Sequence, residues 1–262
     1  VGGDQNSDLT IEASVTNSAT ISIAAGNDLR FSGGSDTNAY SQLGHGGYNA
    51  RGDNSGVITI TSANDLNFTG GSSNLTYSRL GHGGYNAIGN YSGDIIISRA
   101  NDLTFSGGDN FAYAHLGHGG ITGNYSGIIA IASARDLTFS GGSFRSYSQL
   151  GHGSAEFGFF NQAIGTRMGH IDITATGEIS VIDGTNPTTN FNYGWIGHGS
   201  KTANAYSNAN LTIATARLDN ATTTLTSGKQ GSLQADWLFN NLKGGAVSLT
   251  VSSSGINLYA PT

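Results

Sequence analysis

The chain has no cysteine, and only 2 of its 262 residues are proline. Without cysteine there is no disulfide framework and no thiolate metal site. So little proline beside 41 glycines excludes a collagen-like or Pro-rich chain and leaves the glycines to turn the backbone at many tight corners. Charge is scarce too. Charged residues make up 11% of the sequence, the formal net charge is −6, and the 11 Lys and Arg form no cluster. Nucleic acid, which selects a concentrated basic surface, is not an expected partner. No apolar run approaches the roughly 20 residues of a membrane helix, so membrane insertion is not expected. The opening Val1-Gly2-Gly3-Asp4 carries none of the basic and apolar regions of a signal peptide. With repeat-like strands close to both ends, the chain is expected to be an excerpt of a longer protein.

What the sequence does have is a period. "NDLRFSGG" from Asn27, "NDLNFTGG" from Asn64, "NDLTFSGG" from Asn101 and "RDLTFSGG" from Arg135 recur at spacings of 37, 37 and 34 residues. A second landmark recurs in five units: "YSQLGHGG" from Tyr40, "YSRLGHGG" from Tyr77, "YAHLGHGG" from Tyr113, "YSQLGHGS" from Tyr147 and the divergent "YGWIGHGS" from Tyr193. Before each "DL" stands an alternating apolar pair, such as Ile21 and Ile23, Ile58 and Ile60, or Ile95 and Ile97. Alternation of this kind predicts strand, and nothing in the units has helical spacing.

Each unit therefore holds three short strands that cannot bury their apolar row alone. Stacked on equivalent strands about 4.8 Å apart, they would form three parallel sheets around ladders of Ile, Leu and Phe. The predicted fold is all-β: a parallel β-helix (β-solenoid) of about 37 residues per coil, right-handed because crossover connections strongly prefer that hand. A parse into two coils of about 18 residues per unit competes with it. One domain is expected over 1–262, with a partial coil at 1–17, regular repeats at 18–200 and degenerate coils at 201–262. Residues 155–169 read as a loop leaving the coil. Residues 232–243 have helix-like spacing that suits a short helix covering a flank or end of the stack.

Units such as Ser92 to Ile121, "SGDIIISRANDLTFSGG" through "YAHLGHGGI", resemble the shaft repeats of filamentous haemagglutinin-type exoproteins, bacterial adhesins exported by two-partner secretion. The resemblance covers roughly residues 18–200 and weakens in the C-terminal quarter. It implies a right-handed β-helix, a secreted or cell-surface location and an adhesive or biofilm role. The amino-terminal secretion domain of such proteins is not identifiable here.

The most specific side-chain pattern is a histidine column, His45, His82, His118, His152 and His198, one per coil. Each shares parity with the preceding Leu or Ile, which places it on the inward side near a corner, hydrogen-bonded to a neighbouring imidazole or to the Gly-rich backbone. A straight ladder offers one nitrogen per level and no carboxylate or thiolate partner, so no metal is expected. The opposite parity carries Tyr40, Tyr77, Tyr113, Tyr147 and Tyr193, beside Gln42, Arg79, His115, Gln149 and Trp195. This outward row suits a platform for sugar rings or a partner protein; the other reading is an aromatic ladder packed under the "GGSDTNA"-type loops.

Asp28, Asp65, Asp102 and Asp136 form a further column. Grouped carboxylates serve acid–base chemistry, but a corner aspartate also caps backbone N–H groups, and an active site breaks a repeat at one place rather than following it. No catalytic residue and no cofactor is therefore expected. Arg51-Gly52-Asp53 is a short tripeptide match whose counterparts are Ile88-Gly89-Asn90 and Thr122-Gly123-Asn124. The expected function is the shaft or binding segment of a secreted adhesin that contacts glycans or cell-surface proteins multivalently. The alternative is a self-associating structural protein of extracellular fibres or biofilm matrix. A β-helix polysaccharide lyase or hydrolase would need a cleft with non-repeated carboxylates beside 155–169, where Glu156 stands alone.

Overall fold

The computed structural model describes residues 16–153, 165–182, 184, 192 and 194–198, together with the backbone of four later strands at 211–215, 217–219, 247–251 and 256–257. The helix expected at 232–243, Glu156 and residues 1–15 lie outside the described residues. Every described element is a strand, a turn or a bend.

The first sheet has seven parallel strands, β1 (Ile21–Ala24), β4 (Ile58–Ser62), β7 (Ile95–Ile97), β10 (Ile129–Ala134), β13 (Ile171–Ala175), β16 (Leu211–Thr215) and β18 (Val247–Val251). The second stacks β2 (Leu29–Ser32), β5 (Asp65–Thr69), β8 (Asp102–Ser106), β11 (Asp136–Ser140), β14 (Glu178–Ile182), β17 (Arg217–Asp219) and β19 (Ile256–Asn257). The third stacks β3 (Tyr40–Leu43), β6 (Tyr77–Leu80), β9 (Tyr113–Leu116), β12 (Ser148–Leu150) and β15 (Gly194–Ile196). The chain visits the three sheets in turn and then climbs one level. Ile21 pairs with Ile58 and Ile58 with Ile95, so one coil takes one whole repeat. That pairing removes the 18-residue parse.

The core follows from alternation. Ile58, Ile60, Leu66, Phe68 and Leu80 point inward and are fully buried, as are their copies on the coils above. Because the register is in phase, each side chain meets its own copy. Phe31, Phe68, Phe105 and Phe139 stack with centroids 4.6, 4.7 and 5.1 Å apart. Offset stacking at strand spacing adds to the burial of each ring.

The excursion after β12 is shorter than the sequence implied. Residues 165–169 belong to the coil: Arg167 bridges Tyr125 in parallel register, and Met168 N–H donates to Tyr125 O. Gly165 and Gly169 repeat the spacing of Gly123 and Gly127, with Arg167 in place of Tyr125. The substitution hid the match.

Candidate functional site

The histidine column is a ladder in the full sense. Rings of His45, His82, His118, His152 and His198 stack at centroid distances of 5.0, 4.8, 4.7 and 4.9 Å. The backbone N–H of His45 donates to Nδ1 of His82 at 3.0 Å, and the same bond recurs from His82 to His118, His118 to His152 and His152 to His198. Each Nε2 faces a carbonyl in its own coil: His82 lies 2.6 Å from Gly56 O, and His118 lies 2.8 Å from Gly93 O. A carbonyl only accepts, so the proton sits on Nε2 and Nδ1 keeps its lone pair for the N–H one coil away. One side chain thus closes its own coil and clamps it to its neighbour.

In His82, His118, His152 and His198 this geometry engages both ring nitrogens, and the described residues contain no group of three or more His, Cys, Asp or Glu placed to hold a metal. It also opposes protonation. Burial pushes His82 and His198 down to about 4. Burial, reinforced by the neighbouring imidazoles, pushes His118 and His152 well below the ordinary histidine value.

The tyrosine row is not an exposed platform. Tyr77, Tyr113 and Tyr147 are buried and Tyr40 is partly so, with rings stacked 4.9, 5.0 and 5.1 Å apart. The Gly-rich stretch after each histidine folds back over this face: the Tyr40 hydroxyl abuts Gly47, and Tyr85 N–H donates to the Tyr77 hydroxyl at 3.5 Å. Parity separates the two faces of a strand but does not say whether the second face meets water or another layer of chain. In the third sheet it meets chain. Tyr193 lies outside the described residues, and Trp195 is described for its backbone alone, in register with Gln149.

The neighbours of the tyrosines are spent in the same way. Gln42 Nε2 donates to Gly81 O at 3.0 Å and Gly83 O at 2.7 Å, Arg79 to Gly119 O at 2.6 Å, and Gln149 to Gly197 O at 3.2 Å. His115 Nε2 faces Gly151 O at 2.7 Å. Four side chains of three kinds perform one task, donating a hydrogen bond to a corner glycine carbonyl of the next coil.

Asp28 Oδ1 accepts from the Asn64 amide and the Asp65 N–H, and Asp65 Oδ1 accepts from the Asn101 amide and the Asp102 N–H. Asn64 and Arg30 hold the Asp28 carboxyl below its ordinary value. These carboxylates stitch coils together. The Arg51-Gly52-Asp53 tripeptide is stitched likewise: Arg51 donates to three backbone carbonyls, including Asn86 O at 2.8 Å, and Asp53 accepts from Asn90 N–H at 2.7 Å.

Two features carry no repeated sequence signal. The turns between the second and third sheets keep one left-handed residue per coil, Asn38, Leu75, Phe111 and Arg145, although bulky side chains disfavour that conformation by about 1–2 kcal/mol. Phe144 is 38% exposed there, and Arg145 lies 5.5 and 5.6 Å from the rings of Phe111 and Phe144. The second feature is a groove of about 410 Å³ at the corner between the first and second sheets, with Arg99 on its rim. Arg99 stands in a column otherwise occupied by Ala24, Ser62, Ser133 and Thr174, where it is the one long side chain in a row of small residues.

No protein-family model matches the chain, and neither a curated protein nor a solved structure matches it.

Proposed function

We propose that this β-solenoid is the shaft and display surface of a secreted bacterial adhesin at the cell surface, acting by multivalent, non-catalytic contact with glycans or cell-surface proteins. The observation that carries the reading is the division of labour within each coil. Histidine, tyrosine and aspartate columns repeat and are consumed by hydrogen bonds and ring stacking between coils, whereas the turn tips, exposed or half-buried, change from coil to coil. Asp36, Thr37 and Asn38 give way to Ser73, Asn74 and Leu75, then to Asp109, Asn110 and Phe111. A rigid scaffold carrying variable loops is a common architecture for recognition. The resemblance of the repeats to haemagglutinin-type shafts supports the same assignment and the extracellular location.

The test is negative-stain microscopy over a concentration series with a glycan-array screen on the same preparation. Isolated rods that bind a reproducible set of glycans are the expected result. Concentration-dependent fibres with no glycan binding would overturn it in favour of a self-assembling matrix protein.

A further inference from the structure

We propose that the groove at the corner between the first and second sheets is a subsite for a carboxylated pyranose, with Arg99 as its anion-binding group; this rests on the adhesin reading and gives it a ligand class. The groove crosses three successive coils. It is lined by the small residues Ala25, Gly26, Ser62, Ala63 and Ala100 and by the polar side chains of Asn64, Arg99 and Asn101. A volume of about 410 Å³ falls within the range of small-molecule sites.

Three observations select the ligand. First, Arg99 is exposed, and among the described residues no hydrogen bond or ion pair engages its guanidinium. Its counterparts are engaged: Arg30 pairs with Asp28, Arg135 with Asp102 and Asp136, and Arg51 with backbone carbonyls. A guanidinium left open on the rim of a groove matches the planar fork of a carboxylate. Second, Asn64 and Asn101 turn their NH₂ groups to Asp28 and Asp65. Each amide oxygen is left as an acceptor that no hydrogen bond among the described residues uses, so the groove also calls for hydroxyl donors. Third, small side chains at Ala25, Gly26, Ser62, Ala63 and Ala100 leave the groove open to a ring-sized polar ligand. A simple anion would satisfy only the first of these, and a neutral sugar only the last two.

The carboxylates nearby do not fill the role of partner to Arg99. Asp65 Oδ1 is turned to the Asn101 amide and the Asp102 N–H, and Asp102 pairs with Arg135. Arg99 occurs once in its column, so the subsite is single, in contrast to the repeated ladders.

The experiment is calorimetric titration of the whole chain with trigalacturonate, with galactotriose and with sodium sulfate, for the wild type and for Arg99→Ser, Arg99→Lys and Arg30→Ser. Serine is the residue the column itself carries at Ser62 and Ser133, so Arg99→Ser retains the fold, which circular dichroism checks. Expected is trigalacturonate binding that weakens by about tenfold or more in Arg99→Ser, as befits the loss of a charge-assisted hydrogen bond. Arg99→Lys, which keeps charge without the fork, falls in between. Arg30→Ser matches the charge change and leaves binding intact. Equal binding by all variants overturns the groove while leaving the adhesin reading in place. Sulfate binding as tight as trigalacturonate overturns the sugar class and shows an adventitious ion only. No binding of trigalacturonate by the wild type overturns this inference; the adhesin reading itself fails only if the glycan array is also blank.

Discussion

The two faces of the third sheet bury their side chains by opposite means. On the inner face Leu43, Leu80, Leu116, Leu150 and Ile196 meet the isoleucines and phenylalanines of the other two sheets, and apolar groups of suitable volume suffice. On the outer face tyrosines, Gln42, Arg79, His115 and Gln149 lie under the Gly-rich return of the chain, where buried N–H and C=O groups must find partners or cost about 1–3 kcal/mol each. Repetition solves both problems differently. Inside, it brings like beside like and stacks rings. Outside, it sets the side chain at each level opposite a corner glycine carbonyl one coil on, so one contact becomes a column of related ones. The inner face therefore sets how much apolar surface is buried, and the polar side, with the histidine ladder at its corner, sets the register.

The largest test of this contrast is acid. In the unfolded chain a histidine titrates near 6.5, whereas His82 and His198 are held to about 4 in the fold and His118 and His152 well below 6.5. Between these values the unfolded state takes up protons that the native state refuses. Stability is full above pH 6.5 and is lost as pH falls from there toward pH 4. Each histidine withdraws about 1.4 kcal/mol per pH unit across its window, which is a large effect beside the 5–15 kcal/mol of a typical domain. Far-UV circular dichroism should show cooperative unfolding between about pH 6 and pH 4, while the apolar face is indifferent to pH. An unchanged spectrum down to pH 4 would contradict a neutral, doubly bonded ladder.

The next test places one substituent on both sides. His118→Leu removes the acceptor of the His82 N–H and the donor to Gly93 O, so it should cost about 2–4 kcal/mol by urea unfolding at pH 7.5. It should also flatten the acid transition by one histidine. Phe105→Leu, in the apolar stack between Phe68 and Phe139, should cost less, about 1–2 kcal/mol, and leave the acid transition unshifted. Equal costs would mean that the ladder hydrogen bonds contribute nothing beyond volume.

Much of this was legible in the sequence, for a physical reason. Ile-x-Ile, Leu-x-Phe and Tyr-x-x-Leu-Gly-His recur because each must meet its own copy, so period, strand positions and inward histidines could be read from Tyr40 to His152 without a structure. The fate of the second parity could not. Tyr77 reads the same whether it faces water or a covering segment, and only the return of Gly83 to Tyr85 over it decides. The return of 165–169 to the coil was hidden by Arg167, which takes the place of Tyr125 and lays its guanidinium 3.9 Å from that ring's centroid. Arg99 and the left-handed Leu75 and Phe111 were missed for the converse reason: a search for repetition discounts the positions that depart from it.

The smallest expected effect sharpens the comparison most. Tyr77 carries a hydroxyl whose one partner among the described residues is the Tyr85 N–H at 3.5 Å, a long and weak bond. Its ring lies between those of Tyr40 and Tyr113, with the Arg79 guanidinium 5.7 Å from its centroid. Tyr77→Phe preserves the stack, the burial and the cation, so urea unfolding should shift by no more than about 1 kcal/mol. Because the row is covered, glycan binding should be unchanged. Loss of binding in Tyr77→Phe with stability intact would mean that the covering segment opens to admit a ligand and that the tyrosine row is a recognition surface after all. An unchanged titration, beside the expected loss in Arg99→Ser, would separate the face that builds the solenoid from the corner that uses it.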